Sequence, residues 1–332
     1  MFISVVLALI PHIVYILAKA VGWIFQLPAI AHQISFPKVS YRPFGLVALG
    51  LVVLWSALFV WGNRFGRFRY EKTSADIAVS QLPSAFDGYR IVHISDFHLD
   101  GWADQPEMMQ QIVDTINAAD PDLIVFTGDL VSIDKGELTP FIPVLSQLRA
   151  KDGVFSIMGN HDYMPYNRSV SDKQRAVNVA ELQRMEREDL GWHLLLNENS
   201  IIRRGSDSIA IVGCENHSMG VHRVVQRGDL RKALLGTEGM SRIILTHDPT
   251  HWRGEIVPLM KKEKGTLTLS GHTHSGQFRV LGFSAASFVY DEYDGRYDDG
   301  NHTLYVNIGL GGTMPMRIGA TPEITEITLK RK

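Results

Sequence analysis

Five times along this chain a short run of Val, Ile and Leu stops at a cluster of Asp, His and Asn. Asp96-Phe97-His98 follows Arg90–Ser95, Gly128-Asp129 follows Leu123–Thr127, and Gly159-Asn160-His161-Asp162 follows Val154–Met158. Thr246-His247-Asp248 ends the run that starts at Ile243, and Gly271-His272-Thr273-His274 follows Thr266–Ser270. Apolar runs this short read as buried strands, as do Ile209–Gly213 and Leu304–Asn307. Pro106–Ala118 reads as an amphipathic helix, with Pro in its first turn and Met109, Ile112, Val113 and Ile116 on one face. Thr139–Arg149 has a similar pattern. Ser171–Leu190 is long and mostly polar, which predicts an exposed helix projecting from the core. Strands alternating with helices imply a layered α/β domain, and such sheets place their ligands beyond the carboxyl ends of the strands.

The residue types in the clusters narrow the chemistry. In an extended chain residues two apart face the same way, so Asp96 and His98 can meet one ion while Phe97 turns into the core. The glycines at 128, 159 and 271 suit close backbone approach. Imidazole and carboxylate without thiolate suit Mn, Fe, Zn, Co or Ni rather than a Cys-rich structural zinc site. Seven such ligands exceed one four-coordinate ion and suit two ions sharing a carboxylate. Any one of these residues alone would read as a helix cap, a turn former or a core histidine. Five clusters, each directly after a strand, do not read as independent caps.

Together the five blocks resemble the calcineurin-like metallophosphoesterases, in order and in approximate spacing, over about residues 86–330. The stretch Gly271-His272-Thr273-His274-Ser275-Gly276-Gln277 and the later Pro322-Glu323-Ile324 are similar to its membrane-associated bacterial phosphodiesterase branch. Ser275 stands where that branch usually has Gly. The resemblance implies a four-layer αββα sandwich. It also implies a site of two divalent ions, Mn, Fe or Zn. Asp96, His98 and His274 would bind the first ion, Asp129 would bridge, and Asn160, His247 and His272 would complete the second. His161 would be left to act on the substrate, with Asp96 or Asp162 orienting its ring. The expected reaction is attack of water, deprotonated at the ions, on a phosphodiester or pyrophosphate.

The remaining sequence points to a membrane. The chain has 332 residues, 45% of them hydrophobic, with 33 basic and 35 acidic side chains and a net charge of −2. Residues 1–72 hold seven of the basic residues and one acid, Glu71, which leaves 26 basic and 34 acidic in residues 73–332. The division expected is therefore a +6 membrane anchor, 1–72, and a −8 catalytic domain, 73–332. Leu46–Trp61 with its flanks approaches the roughly 20 apolar residues that span a bilayer, and Trp55, Phe59 and Trp61 suit an interfacial belt. Phe2 to about Leu27 is a second expected span, although Pro11, His12 and Lys19 interrupt it. Arg64, Arg67, Arg69 and Lys72 outnumber Lys38 and Arg42, which favours a bacterial inner membrane with the catalytic domain on the cytoplasmic side.

A bilayer-surface substrate follows from the anchor. Members of the resembled branch cleave the pyrophosphate of UDP-2,3-diacylglucosamine, the candidate here. The alternatives are a phosphomonoesterase or protein phosphatase, a nuclease, and a non-catalytic metal-binding scaffold. A domain at −8 offers no footprint for nucleic acid. Cys214 is the sole cysteine, so no internal disulfide forms. Three weaker features are noted: His217 and His251 near the site rim, Tyr290–Asp299 beside the pocket, and Arg317 as a phosphate contact or an ion-pair member. His93, inside a strand, reads as structural.

Overall fold

A computed structural model describes residues 2–25, 39–219, 225–261, 263 and 265–332. They divide into two compact units, 1–65 and 66–332. The first contains α1 (Phe2–Phe25) and α2 (Arg42–Trp61). His12 and Tyr15 of α1 meet the start of α2, where the Tyr41 hydroxyl lies 2.6 Å from His12 Nε2. Arg42–Gly66, with a mean hydropathy of 2.3, is the one helix among the described residues long and apolar enough to cross a bilayer. The expected first span is not supported in the same way. α1 carries Pro11, and its apolar stretch, Ala8–Ile24, is shorter than a span. Leu27 and Lys38 lie outside the described residues.

The second unit is built on two six-stranded mixed sheets. The strands are β1 (Glu71–Val79), β2 (Arg90–Ile94), β3 (Leu123–Phe126), β4 (Val154–Ser156), β5 (His193–Leu194), β6 (Glu198–Arg204) and β7 (Asp207–Gly213). They continue as β8 (Ser241–Leu245), β9 (Thr266–Ser270), β10 (Arg279–Val280), β11 (Phe283–Ser284), β12 (Gly295–Asp299), β13 (His302–Val306) and β14 (Glu323–Arg331). One sheet runs β1-β14-β2-β3-β4-β5 and the other β12-β13-β9-β8-β7-β6, while β10 and β11 form a separate hairpin. In each sheet a central parallel block carries the strands that lead into the polar clusters.

The two-residue period of the strands builds four layers. Leu123 and Val125 point inward with Ile91, against Ile211, Ile243, Leu245, Leu267 and Leu269 of the other sheet. Ile124 and Phe126 point the other way, onto Met109, Ile112, Val113 and Ile116 of α3 (Pro106–Ala118). On the far side Ala210, Val212, Ile244 and Val306 pack against Trp252, Ile256 and Met260.

Two helical expectations are corrected. Thr139–Arg149 is not one helix: Pro140 and Pro143 break it into a 3₁₀ turn, Thr139–Phe141, and the four-residue α4 (Ile142–Leu145). Proline lacks the N–H that would continue the ladder. Ser171–Leu190 does not project. α5 (Asp172–Arg184) and a π-helical turn, Met185–Asp189, lay Leu182 and Met185 into the core, one turn apart. Two apolar residues at helical spacing suffice to dock a mostly polar helix.

The C-terminal strand β14 lies between β1 and β2, in parallel register with β1 from Glu71↔Glu323 to Val79↔Arg331. Glu323 is buried there, accepting from Ile308 N at 3.0 Å and from Thr73 Oγ1 at 3.1 Å. Burial raises its pKa from 4.5 to about 7. The folded state therefore holds a proton that the unfolded chain releases, and stability falls as pH climbs from 4.5 through 7. We predict that Glu323→Gln raises stability at pH 8 by on the order of 2 kcal/mol. Thermal denaturation should show the gain vanish below pH 4.5; a gain independent of pH would refute the assignment.

Candidate metal centre

All five clusters lie at the carboxyl ends of β2, β3, β4, β8 and β9, so the site straddles the edges of both sheets. The turns that form it are tight. Asp96, His98, Asp129, His272 and His274 all adopt positive φ, between 46° and 77°. Non-glycine residues pay roughly 1–2 kcal/mol each for this, and surrounding structure must impose it. Asp96 and His98 thus face one point through left-handed turns, not through an extended strand, with Phe97 buried and stacked on Phe126. A Cβ at Gly159 would fall on the Asp129 carboxylate, and one at Gly271 on the Ser95 hydroxyl and Asp96 carboxylate.

The ligand atoms form two groups that share Asp129. Its Oδ2 lies 3.5 Å from His98 Nε2 and 3.2 Å from His247 Nε2. On one side, Asp96 Oδ1 is 3.6 Å from His274 Nε2 and 3.9 Å from His98 Nε2. On the other, His272 Nδ1 is 3.1 Å from His247 Nε2. The sets Asp96-His98-His274 and Asp129-His247-His272 each gather their ligand atoms within 4.8 Å. Asn160 stands beside them, donating weakly to Tyr166 at 3.4 Å.

These groups fit a pair of cations. His98 Nε2 and Asn160 Oδ1 are buried without a hydrogen-bond partner, and each is an atom that would coordinate. Buried polar atoms are otherwise paired. Each ring is also oriented from behind. His247 Nδ1 donates to Thr127 O at 2.7 Å, His98 Nδ1 meets Ser132 Oγ at 3.2 Å, and His272 Nε2 meets Tyr290 OH at 3.0 Å. Such outer contacts fix the tautomer and direction of a ligating imidazole.

The electrostatics agree. Burial raises Asp96 to about 6 and lowers His98 to about 3. Burial would also lower His247, but Asp129 and Asp96 outweigh it and raise His247 to about 10.

His161 lies at the pocket wall. Its backbone N–H donates to Asp129 Oδ1 at 2.8 Å and its Nδ1–H to the Ser132 carbonyl at 2.7 Å, leaving Nε2 as the second ring nitrogen. The expected orienting carboxylate is corrected: neither Asp96 nor Asp162 holds this ring. Asp162 is instead buried beneath the site and accepts four backbone N–H groups, from Asp129, Leu130, Val131 and Gly159, at 2.8–3.1 Å. Burial and the Asp129 charge raise it to about 7.

The pocket, of about 280 Å³, is lined by Asp129, Asn160, His161, His272 and His274 together with Tyr166, Gln277, Tyr290, Thr313 and Met314. Tyr290 was anticipated as a border residue; Tyr166 and Thr313 were not, and no spacing marks them. Gln277 clamps Met314, accepting from its N at 2.8 Å and donating to its O at 3.0 Å. Among the described residues no carboxylate forms an ion pair with Arg317. It is buried among the carbonyls of Ile308, Gly311 and Ala320, and its Nη2 lies 3.3 Å from His274 Nδ1. His93 is buried against Thr127 Oγ1 at 3.0 Å, as expected of a structural residue. Ser275 stands at φ +48°, a conformation that glycine adopts without a steric cost.

We predict that Asp162→Asn, which turns an amide against two of those N–H donors, destabilises the domain by about 1–3 kcal/mol. Equilibrium denaturation checks this; an unchanged midpoint would show that the four bonds do not hold the two loops.

The family model for calcineurin-like phosphoesterases matches residues 89–276. The metallophosphoesterase YkuE of Bacillus subtilis is 31% identical over 303 residues, 86% of this chain and 94% of that one. A transmembrane protein with a metallophosphoesterase domain from Danio rerio is 32% identical over 304 residues, 88% of this chain and 64% of that longer protein. The UDP-2,3-diacylglucosamine pyrophosphatase LpxG of Chlamydia muridarum is 25% identical over 313 residues, 80% of this chain and 91% of that one. With this coverage and the ligand set above, the chain belongs to the calcineurin-like phosphoesterases and is a metal-dependent phosphoester hydrolase.

Proposed function

We propose that this protein is a membrane-anchored phosphodiesterase or pyrophosphatase with two metal ions, acting on a lipid or lipid precursor, with UDP-2,3-diacylglucosamine as the candidate substrate. The observation that carries the reaction class is the shared carboxylate of Asp129 between two sets of ligand atoms. Asp96, His98 and His274 take one ion, Asn160, His247 and His272 the other, and Asp129 both; Mn, Fe and Zn suit these donors. When bound, two divalent ions supply Lewis acidity to the phosphoryl oxygens and lower the pKa of water towards neutrality.

The chain's own residues do the rest. The Asp129 backbone loop and Asp162 hold the bridging carboxylate rigid. His161, held by the Ser132 carbonyl, turns Nε2 to the pocket and delivers a proton to the leaving oxygen, help worth about 10²–10⁴-fold. Tyr290, hydrogen-bonded to His272, lines the same pocket.

The hairpin beside the pocket supports a lipid substrate. Val280 to Tyr290 carries no charge. Leu281, at the tip, is 102% exposed, Phe288 80% and Phe283 52%, and the same segment ends at Tyr290 in the pocket. Exposed apolar groups gathered this way mark a membrane or partner contact. Similarity to LpxG and to a transmembrane relative supports the same reading. The apolar surface of α1 supports a second membrane-embedded helix, and Arg64, Arg67, Arg69 and Lys72 support the cytoplasmic side of a bacterial inner membrane.

Two experiments test this. With bis-p-nitrophenyl phosphate and added Mn²⁺, Asp129→Ala should lose both bound metal and turnover. His161→Ala should keep its metal and lose about 10²-fold or more; near wild-type turnover would remove its role. For the substrate, Leu281→Glu with Phe288→Glu should cut turnover of a lipid-linked pyrophosphate in vesicles at least tenfold and spare the soluble ester. Equal effects on both would exclude the lipid reading while leaving the reaction class intact.

A further inference from the structure

A second set of ligand atoms lies apart from the centre above and shares no residue with it. His217, on the loop after β7, meets His251 and Glu255, which are one helical turn apart after β8 and so share a face. The three ligand atoms lie within 4.8 Å of one another. His251 Nε2 is 2.9 Å and His217 Nε2 3.9 Å from Glu255 Oε2, and the two rings are 4.8 Å apart. Met219 brings its Sδ to 3.2 Å from His217 Nε2.

The surroundings are shaped for this meeting. His251 is fully buried, and the Thr246 hydroxyl holds its Nδ1 at 2.8 Å, so Nε2 is aimed at Glu255. This is the orienting contact usual behind a ligating imidazole. Two glycines leave room for the partners. A Cβ at Gly228 would stand 2.6 Å from His217 Cβ, and one at Gly254 2.6 Å from Met219 Cγ. His217 and Glu255 remain 24% and 33% exposed, which leaves an open side for an ion to enter.

We propose that His217, His251 and Glu255 form a third metal site, for one divalent ion of the zinc class, with the Met219 thioether at its edge. Two imidazoles and a carboxylate are a zinc donor set that keeps a fourth position open. Ligands at zinc bond lengths stand roughly 3.3 Å apart, between the two distances seen. The ion clips the loop after β7 to the segment that begins four residues beyond His247. Thr250 joins the same contact, its hydroxyl accepting from Met219 N at 2.9 Å.

The test is a count of bound ions on the full-length protein in detergent. The protein is stripped with chelator, reloaded with Co²⁺ as a coloured substitute for zinc, and desalted. His217→Ala and Glu255→Gln alter partly exposed side chains and leave the fold intact. Each should bind one equivalent less than wild type, lose a cobalt absorption band, and keep phosphoesterase turnover. The same loss of one equivalent should appear when His217→Ala is added to Asp129→Ala. Unchanged cobalt content or spectrum in His217→Ala and Glu255→Gln overturns the proposal, whatever the state of the dinuclear centre.

Discussion

Asp162 lies under the centre with four backbone N–H groups aimed at its two oxygens, three from the turn after β3 and one from the turn after β4. Those turns carry Asp129, Asn160 and His161, all leaving the sheet within a few residues of one another. Their amides cannot pair with neighbouring strands, because the strands have ended. The two oxygens of a buried carboxyl group accept from all four of these donors, two at each oxygen. The strained turn at Asp129 persists because this anchor over-determines it.

The anchor creates an electrostatic problem that defines the site. Asp96, Asp129 and Asp162 are all buried, within a cluster of imidazoles. Burial makes charge costly unless it is paired. The protein keeps one carboxylate, Asp129, ionised by setting His247 against it, and lets burial push Asp96 and Asp162 upward. Two divalent ions would resolve the same conflict with greater charge, and His98 Nε2 and Asn160 Oδ1, buried without a hydrogen bond, would be available to hold them. Fold and site therefore share one cause, a concentration of buried carboxyl and imidazole groups at the strand ends.

Apolar surface is distributed with equal purpose. The interior of the domain is a sheet-on-sheet core, and both outer faces are covered by helices. Exposed apolar side chains concentrate instead on the helices before residue 66 and on the uncharged hairpin that ends at Tyr290.

Much of this was written in local pattern. The strands β2, β3 and β9, the helix Pro106–Ala118 and the polar clusters were legible because period-two and helical spacing act over a few residues. The proline-broken segment 139–149 misled because its apolar spacing outlived its backbone bonds. Long-range pairing was invisible: β14 beside β1, Asp162 under two loops, Arg317 among carbonyls, and His217 against Glu255 join residues far apart in sequence. The amino-acid order alone determined which side chains the strand ends would carry and that the first 72 residues differ from the rest. Only tertiary structure decided which nitrogen of each imidazole turns towards the shared carboxylates and what stands behind it. Ligand identity is a property of local sequence, whereas ligand direction is set by packing between elements the chain brings together only on folding.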